Sequence, residues 1–199
     1  MEKTHKEPKE KTLPIVREPD KVLRKKATNL AVHDITTPKI QRLLTEMKTT
    51  LAETPDGVGL AAPQVGESLR IFIVSEEAEE VDRAEKEGWE RTSRAHPEEK
   101  NERPYEKRAW KYYVFINPVL KNSSRRKLAG PEGCLSVPGK FGEVSRHEKV
   151  SVEAHDEHGK KFRRNASRFF ARVMQHELDH LEGTLFIDKV KALFDVKKS

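Results

Sequence analysis

The chain has one cysteine, Cys134, in 199 residues. No internal disulfide can form, which suits a reducing compartment and leaves the thiol for chemistry. No apolar run approaches the length needed to span a bilayer, so no membrane partner is expected. Aromatic residues make up only 7% of the chain and are not interleaved with basic ones. The net charge of +6 therefore gives weak attraction to polyanions without marking a nucleic-acid surface, and specific DNA recognition is not expected. The first dozen residues lack the apolar stretch of a signal peptide, and Glu2, Glu7 and Glu10 separate them from acid-poor transit peptides. They are expected to form a disordered, charged extension over 1–12, ahead of a single cytoplasmic domain over 13–199.

The apolar pattern that is present falls into short elements. Residues 13–26 read as an extended arm, because Pro14 and Pro19 block regular helix. Thr37 and Pro38 start a helix with Ile40, Leu43, Leu44, Met47 and Leu51 as its buried stripe, ending before Pro55-Asp56-Gly57. Strands are expected at 71–74, at 112–117 and 119–128 on either side of Pro118, and around Val150, Val152 and Ala154. A last helix is expected over about 166–181, with Phe169, Phe170, Val173, Met174, Leu178 and Leu181 at helical spacing and Gly183 as its stop. Strands before a carboxyl-terminal helix, without strand–helix alternation, imply an α+β fold of small mixed or antiparallel sheets packed around that helix. Over half of the residues in 76–111 are charged. This stretch reads as an inserted, solvated hairpin, helix or loop, dispensable for the core. A partner-docking arm, with Trp89 and Trp110 as contacts, is the alternative.

The final helix carries His176-Glu177-Leu178-Asp179-His180. Histidines four apart project from nearly the same helix face, so both imidazoles can reach one ion, with Glu177 between them beside a water. A softer third ligand from elsewhere would leave a fourth position open, as hydrolysis at a metal requires. Taken alone, Cys134 reads more readily as a small buried hydrophobe than as that ligand. Asp179 is equally compatible with orienting a ligand and with facing solvent.

Three segments, in order, resemble the motifs of the peptide deformylase family: Gly57-Val58-Gly59-Leu60-Ala61-Ala62-Pro63-Gln64, Glu132-Gly133-Cys134-Leu135-Ser136 and His176-Glu177-Leu178-Asp179-His180. The likeness runs over about 13–188. It implies a metallohydrolase that removes the formyl group from the amino-terminal formylmethionine of new proteins and releases formate. On that resemblance Cys134, His176 and His180 hold one divalent metal, Fe(II) or Zn(II), with Ni or Co also accepted by such ligands. Glu177 carries the proton, and the Gln64 amide and the Leu135 backbone N–H stabilise the oxyanion. Gly57, Val58, Gly59 and Gly133 bind the substrate, which lies as an added strand held by main-chain bonds. Its first side chain would enter an apolar pocket of Val58, Val173 and Phe141. The implied partners are nascent formylmethionyl chains and, transiently, the ribosome. A zinc-dependent endopeptidase is the nearest rival, since it also uses His-Glu-x-x-His, but it generally takes a further downstream ligand, and only Glu182, Asp188 and Asp195 follow.

Overall fold

The structure is a computed structural model that describes residues 11–55, 57–86 and 111–195. Nearly all of the expected amino-terminal extension, together with Trp89 and Trp110, lies outside the described residues. Eight strands form two antiparallel sheets. The larger has the order β1 (Gly59–Ala61), β2 (Ile71–Ser75), β3 (Tyr112–Ser123), β6 (Lys149–His155), β7 (Lys161–Ser167); the smaller has β4 (Lys127–Cys134), β5 (Val137–His147), β8 (Leu193–Asp195). Three helices accompany them: α1 (Pro38–Ala52), α2 (Glu77–Lys86) and α3 (Arg168–Leu181). This is the α+β arrangement expected.

Strand β2 shows why the larger sheet sits where it does. All five of its residues are buried, and successive side chains point to opposite faces. Ile71 and Ile73 pack with Ile40, Leu44, Met47 and Leu51 of α1. Phe72 and Val74 pack with Phe170, Ala171, Val173 and Met174 of α3. The ring of Phe72 stacks on Phe115 of β3 at 4.5 Å between centroids. One strand thus ties α1 to one side of the sheet and α3 to the other, and α3 is the helix that carries the paired histidines.

Two expectations change. Pro118 does not divide two strands: β3 runs through it, with a register shift between Ile116 and Val119 and Asn117 in the left-handed region at φ 51°. The Asn117 side chain stabilises that irregularity by accepting from the Leu30 N–H at 2.8 Å and donating to the Leu30 carbonyl at 2.7 Å. The charged stretch, in turn, is not solvated throughout, because its first part is α2, packed against α3. Ala78 is fully buried and Asp82 nearly so. Ser167 makes no side-chain cap for α3. The Asp82 carboxylate accepts instead from the N–H groups of Phe169 and Phe170, at 2.9 and 3.2 Å. Those N–H groups have no partner within a helix's first turn, and a carboxylate there also suits the helix dipole. Glu79 accepts from the Tyr113 hydroxyl at 2.6 Å and from Arg164.

Candidate metal centre

Three elements bring the motif residues together. Strand β4 ends at Cys134, α3 presents His176 and His180, and the segment after β1 turns Gln64 toward both. The candidate ligand atoms of Cys134, His176 and His180 all lie within 4.8 Å of one another, and among the described residues they form the one such cluster. Cys134 Sγ is 3.2 Å from His180 Nε2. A tetrahedral cation with ordinary metal–sulfur and metal–nitrogen bond lengths separates such atoms by roughly 3.6 Å, so the cluster needs little adjustment to close around one ion.

The donor set also favours positive charge. Burial works against a charged His176, yet hydrogen bonds to Cys134 and Glu132 push its pKa up to about 10. His180 goes the other way: burial, with the charges of His176 and Arg146, holds it well below its usual value, as a neutral ligand. Acceptors that would retain a proton at the first histidine equally suit a cation beside it. Glu182, a candidate in the endopeptidase reading, is committed elsewhere, to Lys26 at 2.8 Å and Arg70 at 2.6 Å.

Glu132 is a residue that motif matching alone left without a role. It is 6% exposed. One carboxylate oxygen meets His176 Nδ1 at 3.0 Å. Arg146 binds the carboxylate through both oxygens, at 2.9 and 2.8 Å, and Arg172 adds a third contact at 2.8 Å. Burial alone would raise the Glu132 carboxyl, but hydrogen bonds from Arg146 and His176 more than reverse this and hold it well below the usual carboxylate range. Arg146 also reaches Asp179 at 2.5 Å, and Lys189 holds the other Asp179 oxygen at 2.6 Å. Asp179 therefore anchors the group that anchors the carboxylate that orients a ligand. By fixing Nδ1 on Glu132, this chain leaves Nε2 of His176 for an ion.

Glu177 is 3% exposed, and its Oε2 has no hydrogen-bond partner. Burial, only partly opposed by His176, pushes its carboxyl up to about 7. It lies against β1 so closely that a Cβ on Gly59 would overlap Oε1 and come within 3.0 Å of Val173. Gly57 answers to a different neighbour, since a Cβ there would meet Leu51 of α1 at 2.8 Å. The Gln64 side chain is 2% exposed; its Oε1 accepts from Ala61 N–H at 2.8 Å, which turns Nε2 toward Cys134 Sγ at 3.5 Å and Ser136 Oγ at 3.4 Å. Val58 packs into the α3 cluster with Val173, as expected for a shared pocket. Phe141 does not join them. Its ring covers Gly133 on the other side of β4 and is 43% exposed.

The sequence model of the polypeptide deformylase family matches residues 12–195. This chain belongs to the polypeptide deformylase family. Peptide deformylase 2 of Nostoc sp. is 38% identical over 181 residues, 90% of this chain and 87% of that protein. The peptide deformylase of Thermus thermophilus is 40% identical over 173 residues, 86% and 78% of the two chains. Two plant deformylases, from Arabidopsis thaliana and Solanum lycopersicum, also match, and this chain spans 60% and 62% of their lengths. Among solved structures, a class I type b peptide deformylase from Acinetobacter baumannii bound to Met-Ala-Ser superposes with a TM-score of 0.71. It is 30% identical, with 91% of this chain and 99% of that one covered. Family membership and the Cys134, His176, His180 cluster agree that this is a metal-dependent site.

Proposed function

We propose that this chain is a peptide deformylase, hydrolysing the formyl amide at the amino terminus of newly made polypeptides and releasing formate. The observation that carries the reading is the donor set of Cys134, His176 and His180 with buried Glu177 between the histidines. A third ligand contributed by β4, with Glu182 tied to Lys26 and Arg70, argues against the endopeptidase alternative.

A divalent cation held by Cys134, His176 and His180 supplies a water of lowered pKa and polarises the formyl carbonyl. Glu177 accepts the proton of the attacking water and delivers it to the departing amine nitrogen as the carbon–nitrogen bond breaks. Its buried position beside Gly59 keeps it next to the bond that reacts. Gln64 Nε2 and the Leu135 N–H donate to the carbonyl oxygen as it gains charge; one such donor contributes about 2.7–4 kcal/mol in the transition state. β1 and β4 are each the outermost strand of their sheet. Glu177 touches the first and His176 is bonded to the second, so the site opens between two strand edges. An extended peptide pairs there through its main chain, which tolerates varied downstream sequence. Gly59, Val58 and Gly133 line this course, and the first side chain turns toward Val58 and Val173. Gly57 shapes the loop that delivers β1.

The ligand set suits Fe(II) or Zn(II), and a thiolate ligand favours a reducing compartment such as the cytoplasm. Nascent formylmethionyl chains are the substrates, met transiently at the ribosome. No described helix is long and apolar enough to cross a membrane. Formate release from a formyl-Met tripeptide by the metal-loaded protein tests the activity. Cleavage of an internal peptide bond without formate release would refute it.

A further inference from the structure

Beside Cys134 the smaller sheet carries a row of side chains that the chemistry above leaves unused. Gly133 of β4 pairs with Phe141 of β5, and Phe141 pairs with Phe194 of β8. Directly paired residues of antiparallel strands share a face. That face is the outer one: Phe141 and Phe194 are 43% and 61% exposed, whereas Glu132, the neighbour of Gly133, turns inward to Arg146. The Phe141 ring lies flat over Gly133, where a Cβ would come within 2.7 Å of a ring carbon. With no side chain at Gly133, the ring is open to whatever lies along the free edge of β4.

We propose that Phe141, supported by Phe194, recognises the side chain that follows the formylmethionine, favouring large apolar and aromatic residues at that second position. The inference rests on the deformylase reading of the site. Side chains of an extended peptide alternate between faces. With the first turned inward toward Val173 of α3, the second turns outward, to the face of Gly133 and Phe141. A side chain opposite a glycine can reach across it to an aromatic ring on the next strand, the same contact that rescues edge glycines in sheets. Phe194 flanks the far side of Phe141 and extends the apolar surface by one strand. The patch is continuous with the cleft through Gly133, the residue before Cys134, and this continuity points to substrate as its occupant.

The test compares kcat/KM for formyl-Met-Phe-Ser and formyl-Met-Ala-Ser with the metal-loaded enzyme. The wild type should prefer the phenylalanine peptide by about fivefold, within the roughly 2- to 12-fold that one aromatic pair contributes. Phe141→Ala should bring the ratio close to one, and Phe194→Ala should lower it part of the way. Val119→Ala, an exposed apolar residue on β3, should leave the ratio as it is. If Phe141→Ala does not fold, Phe194→Ala on the last strand carries the test. A wild-type ratio of one, or a ratio unchanged in both phenylalanine variants, would overturn the proposal. Absence of formate from either peptide would instead overturn the deformylase reading, and this proposal with it.

Discussion

Replacing Glu132 by Gln tests whether the ligand helix is held by charge or merely by packing. The substitution keeps the shape and one acceptor but removes the negative charge that Arg146, Arg172 and His176 share. Breaking a buried ion pair by neutralising one partner costs about 3–5 kcal/mol. Here the lower end applies, because neither guanidinium is left alone: Arg146 keeps Asp179, and Arg172 keeps the carbonyls of Leu128, Gly130 and Val144. For a chain of this size, about 3 kcal/mol corresponds to a melting temperature lowered by roughly 6–12 °C. A second effect is separate from stability. The amide can accept from His176 Nδ1 but no longer balances positive charge there, so metal affinity should fall about 10- to 100-fold. Urea unfolding measures the first quantity and chelator competition the second. A Glu132→Gln protein that melts normally and holds metal as tightly as the wild type would show that packing alone, for instance Phe186 stacked beneath His176, orients the ligand.

Other expectations follow from the same contacts. Chelation should abolish formate release and a divalent metal should restore it; full turnover in a metal-free preparation, verified by elemental analysis, contradicts the ligand assignment. If the metal is iron, air should inactivate the enzyme by oxidising the ion or Cys134, whereas equal half-lives with and without oxygen indicate zinc or nickel. Glu177→Ala should retain metal and lose most turnover, while His176→Ala and His180→Ala should arrive without metal; a metal-free Glu177→Ala protein would make Glu177 a ligand. Asp82→Ala should cost about 2 kcal/mol, because it strips the cap from α3 and leaves two N–H groups unpartnered. That is a drop of roughly 4–8 °C in melting temperature, and an unchanged melting curve would remove α2 from the support of the site. For the same reason, exchanging residues 79–107 for a short turn should destabilise the protein, since it deletes both Glu79 and Asp82.

The elements legible in the sequence are those whose burial is decided by apolar spacing. Helix α1, strand β2 and helix α3 each present an uninterrupted apolar face, and periodicity finds them. Strand β7 hides because an inward position holds Arg164, whose guanidinium lies 4.4 Å over the Tyr113 ring; alternation counted by hydropathy misses a cation used as packing surface. Helix α2 hides for a related reason. Its buried face is Ala78 and Asp82, one turn apart, and an aspartate is counted as solvent-facing unless its partners are known. Those partners are backbone N–H groups 87 and 88 residues away. At the site, the ligands and Glu177 were legible because helix spacing and the motif resemblance coincide. Glu132 sat inside a recognised motif without a role, since what it does depends on Arg146, which β4–β5 pairing brings opposite. One signal was available: Arg146 follows Val144 at two-residue spacing in a strand, so it occupies an inward position that a charge takes only with a buried partner.

The two sheets end at the reaction site with their outer strands unpaired, and this arrangement links stability to function. β1 and β4 could each have been covered by a further strand; instead each borders the site with a glycine, Gly59 against Glu177 and Gly133 under Phe141. A free strand edge is an aggregation hazard unless it is short or blocked. Here β1 has three residues, and β4 begins at exposed Lys127. The same two edges offer main-chain donors and acceptors to a peptide of any sequence, while the side chains that discriminate stand behind them, on α3 and β5. The buried Glu132–Arg146–Asp179 chain fixes α3 against the β4 side, and Asp82 fixes its first turn from the other direction. Both ends of the ligand helix are therefore anchored before any peptide arrives. A substrate strand inserted between β1 and β4 meets ligands that need not move, as a site that stabilises developing charge requires.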